Sequence, residues 1–320
     1  ALVTPILTRA RFTQAQSPLS VVATFSILGD LTANVAGNTL GLNVIVGPDG
    51  DAHTFEPRPE QIGWIADATV IIENGLGFEP WLDDMYASSG STAIRLVTSS
   101  QVSPIAVADE EAAEAHAEET VTGDVHDPGH DDADHDHGEF DPHVWQDVRN
   151  AMLQVTAIQD GLTSVDPGNA STYASSADAY ISNLESLDTW IRDAVSSIPA
   201  EKRLLFTSHD AFGYFANAYG FTILGTALGA ISTEAADPSA GQIADLIDSI
   251  RASGVPAIFV ETGESDDLMH QIASDAGVTL APPLHGDAVT ASDGPAPTYI
   301  DLMRSNVTTI VTSLGGTVPN

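Results

Sequence analysis

The stretch that decides the fold runs from Asp166 to Pro199 and reads DPGNASTYASSADAYISNLESLDTWIRDAVSSIP. Asp-Pro-Gly is a helix start and the final proline is a stop, so we predict one long helix over residues 168–198. A helix of about 30 residues spans about 45 Å, the length of a whole domain, and suits a rigid strut between two lobes. Apolar side chains recur along it at steps of three to seven residues and form one face. They are Tyr173, Tyr180, Leu184, Leu187 and Ile191.

Short apolar runs alternate with helical patterns on both sides of this helix, which is typical of parallel α/β sheets. We therefore predict the α/β class, with two similar parallel-sheet lobes joined by one long rigid helix. The predicted strands are 20–27, 42–47, 69–73, 93–98, 204–208, 222–226, 257–261 and 278–281. The predicted helices between them are 31–36, 59–68, 79–88, 211–219, 239–253, 266–276 and 297–314.

The same pattern divides the chain into four parts: a flexible N-terminal tail at 1–18, a lobe at 19–165, the linking helix at 166–199 and a lobe at 200–320. Within the first lobe, residues 107–139 are acidic, His-rich and almost without large apolar side chains, so we predict a disordered loop. The tail has an apolar stretch followed by Arg9 and Arg11. It is either the remnant of an export signal or lipoprotein tether, or a plain disordered terminus.

Composition excludes several classes of protein. The 320 residues are 43% hydrophobic and contain no run of eighteen apolar residues, which indicates a soluble globular protein. Cysteine is absent, which excludes thiolate metal sites, disulfides and cysteine nucleophiles. The net charge is −35 and Lys202 is the single lysine. No basic patch can be built from this composition, so nucleic acid is excluded as a partner and an anionic membrane surface would repel the protein.

Four segments spaced by 90, 66 and 78 residues each offer one candidate metal ligand. Three histidines and one carboxylate complete a tetrahedral shell for a borderline-soft divalent cation. Three of the four candidates follow predicted strands, and ligands of open α/β sheets lie at the carboxyl ends of strands. The wide dispersal predicts a site in the cleft between the lobes. The segments are DAHTFEP around His53, DPHVW around His143, TSHDA around His209 and HGDA around Asp287.

Other side chains compete for these roles. His285 is the rival of Asp287, which could also be a solvated turn residue. Glu261 ends a strand and is interpreted as a cleft-lining carboxylate that hydrogen-bonds backbone, and His270 is interpreted as a surface residue. The loop between the first two ligands is either a loosely zinc-binding lure or sensor, or a solubilising linker of biased composition. Its histidines are His116, His126, His130, His135 and His137.

At these motifs the chain closely resembles the metal-specific solute-binding proteins of ABC importers, the ZnuA/TroA-like family (periplasmic solute binding protein family 9). The resemblance runs from about residue 20 to the end and implies two α/β lobes bridged by a long helix, with metal in the cleft. It implies ligands at His53, His143, His209 and Asp287. The motifs that carry it are GDAHTFEP at 50–57, DPHVW at 141–145, TSHDAF at 207–212 and the stretch 229–261 with ISTEA and FVE.

The resemblance also bears on the metal. Manganese-binding members tend to carry Glu at the third ligand position and zinc-binding members tend to carry His, as this chain does at His209. Ligand softness and the His-rich insertion favour zinc as well. We therefore predict one tight Zn²⁺ site in an exported monomer, periplasmic or on the cell surface with or without a lipid anchor, that delivers the ion to an ABC transporter membrane permease. Manganese or iron is the alternative within the same family.

Two other classes of function remain as alternatives at this point. One is a zinc-dependent hydrolase with Glu261 or Glu234 as general base. It is disfavoured because a fourth ligand closes the position that catalytic zinc keeps open, so we expect no enzyme. The other is an adhesin with incidental metal. Arg58, five residues from His53, departs from the family pattern.

Overall fold

The computed structural model describes residues 18–107, 139–228, 238–263 and 266–319. The predicted tail, apart from its last residue, and residues 108–138 of the predicted His-rich loop lie outside these ranges, as does Glu234. The chain forms two α/β lobes, each built on parallel strands, with one long helix in contact with both. The predicted fold class is confirmed. No helix in the described ranges is long and apolar enough to span a membrane.

The first lobe contains a four-stranded parallel sheet in the order β2-β1-β3-β4. The central strands are apolar and almost wholly buried, as is usual in parallel sheets. The strands are β1 Leu19–Phe25, β2 Leu40–Val46, β3 Val70–Glu73 and β4 Ile94–Val97. The helices are α1 Ser26–Ala36, α2 Pro59–Asp67, α3 Leu82–Ser89 and α4 Val148–Val165.

The second lobe repeats this topology with shorter strands. The structure pairs β5 with β6 and β7 with β8. The N–H of Phe259 donates to the carbonyl of Phe206 at 2.9 Å, which places β7 beside β5 and gives the order β6-β5-β7-β8, matching the first lobe. The strands are β5 Leu204–Thr207, β6 Thr222–Thr226, β7 Ala257–Ile258 and β8 Thr279–Leu280. The helices are α6 Gly213–Tyr219, α7 Ala240–Ser253, α8 Asp266–Ala276 and α9 Tyr299–Ser313.

The long helix α5, Ala170–Ser196, is 27 residues and therefore about 40 Å long. All five side chains predicted for its apolar face are buried. It packs on α1 and α4 of the first lobe and on α9 and α6 of the second. The helix begins later than predicted because Pro167–Asn169 form a separate 3₁₀ turn. One rigid element thus contacts both lobes.

Several predicted boundaries are wrong. The first strand ends at Phe25 rather than at residue 27, because Ser26 and Ile27 already belong to α1. The predicted strands 257–261 and 278–281 are reduced to two paired residues each, and Glu261 only forms an isolated bridge to Leu284. These shortened strands leave irregular backbone at the carboxyl edge of the second lobe, where two of the candidate ligands lie.

Candidate metal centre

The four predicted side chains meet between the lobes. One ligand atom from each of His53, His143, His209 and Asp287 lies within 4.8 Å of all the others. The first lobe supplies His53 from the loop after β2 and His143 from the turn before α4. The second lobe supplies His209 after β5 and Asp287 after β8. In the described part of the chain, this is the only group of three or more such residues with that proximity.

The donor separations suit a small tetrahedral cation. Asp287 Oδ2 lies 3.3 Å from His53 Nε2 and 3.4 Å from His209 Nε2. The Nε2 atoms of His53 and His143 are 3.4 Å apart, and His143 Nε2 lies 3.6 Å from Asp287 Oδ1. A tetrahedron with zinc–nitrogen bonds of about 2.0–2.1 Å has edges of about 3.3–3.4 Å. Three of these separations match the edges of that tetrahedron, and every pair of donors lies within 4.8 Å, so the group could close around one ion.

Carboxylates behind two of the histidines direct their Nε2 atoms inward. Asp141 Oδ1 lies 2.8 Å from Nδ1 of His143 and also accepts the backbone N–H of that residue at 2.9 Å. Glu261 Oε2 lies 2.9 Å from Nδ1 of His209, and Glu261 Oε1 accepts the backbone N–H of His209 at 3.2 Å. A carboxylate on the second ring nitrogen fixes the tautomer and makes the imidazole a better ligand.

Aromatic contacts and backbone hydrogen bonds hold His53 in place. The ring of His53 stands edge-on to Phe78 with centroids 4.9 Å apart, and Phe78 packs on Trp145 at 4.8 Å. The backbone N–H of His53 donates to Asp51 Oδ1 at 2.8 Å. The indole N–H of Trp81 donates to the carbonyl of the preceding residue, also at 2.8 Å. The loop is thus held at the backbone as well as at the ring.

The carboxylate of Asp287 is held in its charged form. Burial raises the pKa of Asp287, but the charge of His143 and hydrogen bonds with His209 and His53 outweigh burial. The pKa therefore lies well below its usual range. The group carries a full negative charge at neutral pH, which favours a cation at the centre of the cluster.

Gly286 permits the close packing behind His209. A Cβ atom at this position would lie 2.6 Å from Glu261 Oε2 and 3.5 Å from His209 Cε1. Any side chain there would push Glu261 away from the imidazole. Sequence reasoning assigned Glu261 to backbone hydrogen bonding, and the structure adds the contact with the ring of His209. It also adds Asp141, whose position two residues before His143 is the only local signal.

The contact between Glu261 and His209 leads to a first prediction. We expect Glu261→Gln to weaken zinc binding by about 10- to 100-fold, because the amide no longer holds and polarises the imidazole as a carboxylate does. Competition titration against a chelator measures the change. Glu185→Gln, on the exposed side of α5, is a matched control. An unchanged affinity in Glu261→Gln would contradict the positioning role.

The remaining candidates lie elsewhere. His285 is buried, its N–H donates to Asn306 Oδ1 at 2.8 Å, and burial lowers the pKa of its ring. It is not part of the four-residue group. His270 is exposed on α8, as expected. Arg58 precedes α2, where its N–H donates to Gln61 Oε1 at 2.8 Å, so its position is that of a helix start. The five loop histidines lie outside the described residues.

Two α/β lobes, a helix that contacts both and a four-donor group between them that could hold a metal ion are the features of a bilobed metal-binding protein. The chain matches the family described as "Zinc-uptake complex component A periplasmic" over residues 21–313, and it belongs to that family. Its relatives are named as metal-binding proteins and as substrate-binding components of metal ABC transporters. The chain is therefore a metal-binding solute-binding protein of the ABC transporter type and not an enzyme.

Individual relatives are named for different metals. The manganese-binding lipoprotein MntA of Halalkalibacterium halodurans is 35% identical over 92% of this chain and 88% of the relative. The iron-binding protein YfeA of Yersinia pestis is 30% identical over 92% of this chain and 86% of the relative. The solved structure of the periplasmic zinc-binding protein TroA from Treponema pallidum matches with a TM-score of 0.78 at 29% identity, covering 93% of this chain and 99% of that chain.

Proposed function

We propose that the protein binds one Zn²⁺ through His53, His143, His209 and Asp287 and delivers it to the membrane permease of an ABC transporter. The observation that carries the proposal is the donor set, three imidazole nitrogens and one carboxylate oxygen that lie within 4.8 Å of one another. Imidazole suits zinc, and the divalent affinity order places zinc above manganese at a nitrogen-rich site. Four protein ligands leave no coordination position open for water or substrate, which suits a protein that binds an ion rather than one that uses it in catalysis.

The location and the partner follow from the relatives. Several are named substrate-binding lipoproteins of metal ABC transporters, from which we infer an extracytoplasmic protein, periplasmic or on the cell surface, that passes its ion to a permease. The two lobes of one chain supply all four donors, so the site needs no second copy. We therefore propose that the protein acts as a monomer.

Manganese is the second candidate because a relative of 35% identity is named a manganese-binding lipoprotein. Competition titration of metal-free protein with both ions discriminates between the two. We expect zinc to displace manganese at the single tight site. Manganese bound more tightly than zinc would overturn the zinc proposal while leaving a metal-transport role in place.

Acid should release the ion. Neutral imidazole is the ligand form, so protons compete with the metal as the pH falls toward and below the ordinary imidazole pKa of about 6.5. Three histidines make this competition steep. We expect zinc affinity, measured by equilibrium dialysis, to be highest near neutral pH and to fall progressively between about pH 7 and pH 5. An affinity that is flat across this range would argue against three imidazole ligands.

Removing the His-rich loop should spare the tight site. The residues on either side of this segment are paired with each other. Ala106 and Phe140 form an antiparallel bridge, and the Val107 N–H donates to the Glu139 carbonyl at 3.1 Å. Deleting residues 110–138 leaves a two-residue connection between Val107 and Glu139, a common hairpin length.

We expect this deletion variant to keep its melting temperature and one tightly bound zinc, and to lose only weaker additional zinc equivalents. Calorimetric titration with zinc counts both classes. A variant with Asn-Gly as the two connecting residues controls for strain in the shortened turn. Loss of the tight site in both variants would show that the loop contributes to it.

A further inference from the structure

The segment 286–291, which carries Asp287, is bonded to the first lobe although it belongs to the second lobe in sequence. At its start, the Gly286 carbonyl accepts the indole N–H of Trp145 at 2.9 Å and the side-chain amide of Gln146 at 2.8 Å. Both donors come from the turn that follows His143. The start of the segment is therefore held by the elements that also carry a first-lobe histidine.

Two other first-lobe residues hold the far end of the segment. Ser26 Oγ accepts the N–H of Val289 at 3.1 Å, and the N–H of Asp49 donates to the Val289 carbonyl at 2.9 Å. Asp49 Oδ2 also accepts the N–H of Ala291 at 3.0 Å. Three hydrogen bonds thus join Ser26 and Asp49 to backbone that lies two to four residues after Asp287.

The backbone of Asp49 is adapted to this contact. Its φ is 58°, in the left-handed region that most residues avoid and that Asp and Asn tolerate better than others. In this conformation both the N–H and the carboxylate of Asp49 reach the same segment of the other lobe. Ser26 and Val289 are each only 4% exposed, so their hydrogen bond is shielded from water.

We propose that Ser26 and Asp49 are positioning residues of the metal site, which hold Asp287 in the ion's shell from across the cleft and so set how long the ion stays bound. The inference rests on the proposed metal-binding function. Their three hydrogen bonds can form only while the lobes are together. Separation of the lobes breaks these bonds and withdraws Asp287 from His53 and His143, which remain with the first lobe.

Ser26 and Asp49 should slow the release of zinc by different amounts. Removing the Ser26 hydroxyl leaves the buried N–H of Val289 unpaired, and the usual cost of such a group corresponds to about 5- to 100-fold faster release. Asp49 is exposed, so water can replace its carboxylate as the acceptor of the Ala291 N–H. Removing this carboxylate should therefore make zinc release only about 2- to 10-fold faster. Both changes act on dissociation, because the bonds are made only after the lobes close.

Stopped-flow mixing of the zinc-loaded full chain with excess chelator measures release directly. The variants are Ser26→Ala and Asp49→Gly, the latter keeping the left-handed backbone while removing the carboxylate. Asp49→Asn is the matched control, since it tolerates the same backbone and keeps a side-chain oxygen for the Ala291 N–H. We expect Ser26→Ala and Asp49→Gly to release zinc faster with an unchanged association rate, and Asp49→Asn to behave as the wild type.

Wild-type release rates in Asp49→Gly, or equal acceleration in Asp49→Gly and Asp49→Asn, would overturn the positioning role. Because Asp49 lies on the surface, this pair of variants decides the question even if Ser26→Ala fails to fold. The proposed function fails differently: the wild type would then bind no zinc tightly, or His209→Ala would bind it as well as the wild type does. The two failures are therefore distinguishable.

Discussion

Replacing His209 with alanine is expected to lower zinc affinity by about 100-fold or more. Residues that only hydrogen-bond to a metal ligand typically contribute about 10- to 100-fold to metal affinity. Loss of a direct donor should therefore lower the affinity by at least the upper end of that range. The change removes a second-lobe imidazole that lies 3.4 Å from Asp287 Oδ2. It also leaves the buried Glu261 without the ring that Oε2 now contacts at 2.9 Å.

Competition titration against a chelator of known affinity measures this loss. His270→Ala is the matched control, because His270 is an exposed histidine of the same lobe and lies outside the four-residue group. The melting temperature of both metal-free variants checks that the fold is retained. Wild-type zinc affinity in His209→Ala would show that the ion is held elsewhere.

Replacing His209 with glutamate is expected to narrow the zinc-to-manganese affinity ratio by roughly ten-fold, because it exchanges a borderline nitrogen donor for a hard and potentially bidentate one. The new carboxylate would face Glu261, and two adjacent carboxylates repel each other. The sharper design therefore places His209→Glu in a Glu261→Gln background and compares it with Glu261→Gln alone.

Paired titrations with zinc and manganese give the ratio for each variant. His270→Glu adds the same charge to the second lobe away from the site and should leave the ratio unchanged. A ratio that stays constant or rises in the His209→Glu variant would mean that the third ligand position does not determine selectivity. The preference for zinc would then lose its main support.

Periodicity predicted the long-range architecture well. All five side chains assigned to the apolar face of the long helix are buried, because a pattern repeated over 27 residues is insensitive to local exceptions. Strand ends were harder to predict. Ser26 and Ile27 continue the apolar run of β1 but belong to α1, and apolar character alone does not separate a buried strand from a buried helix.

The four candidate ligands could be selected from the sequence because each follows a strand or a proline in a recognisable motif. The residues that hold these candidate ligands in position could not be selected in this way. Glu261 contacts His209 across 52 positions of sequence, and Ser26 reaches Val289 across 263. Such contacts depend on how distant segments come together in the fold, and local sequence periodicity carries no information about that. Asp141 is the exception, because its side chain binds only two residues away.

Anomalous diffraction from crystals grown in equimolar zinc and manganese tests the central claim most directly, since data on either side of each absorption edge identify the ion at its position. We predict one zinc ion per chain, bonded at about 2.0–2.1 Å to His53, His143, His209 and Asp287. Manganese at that position, or an ion that lacks any of these four ligands, would contradict the account.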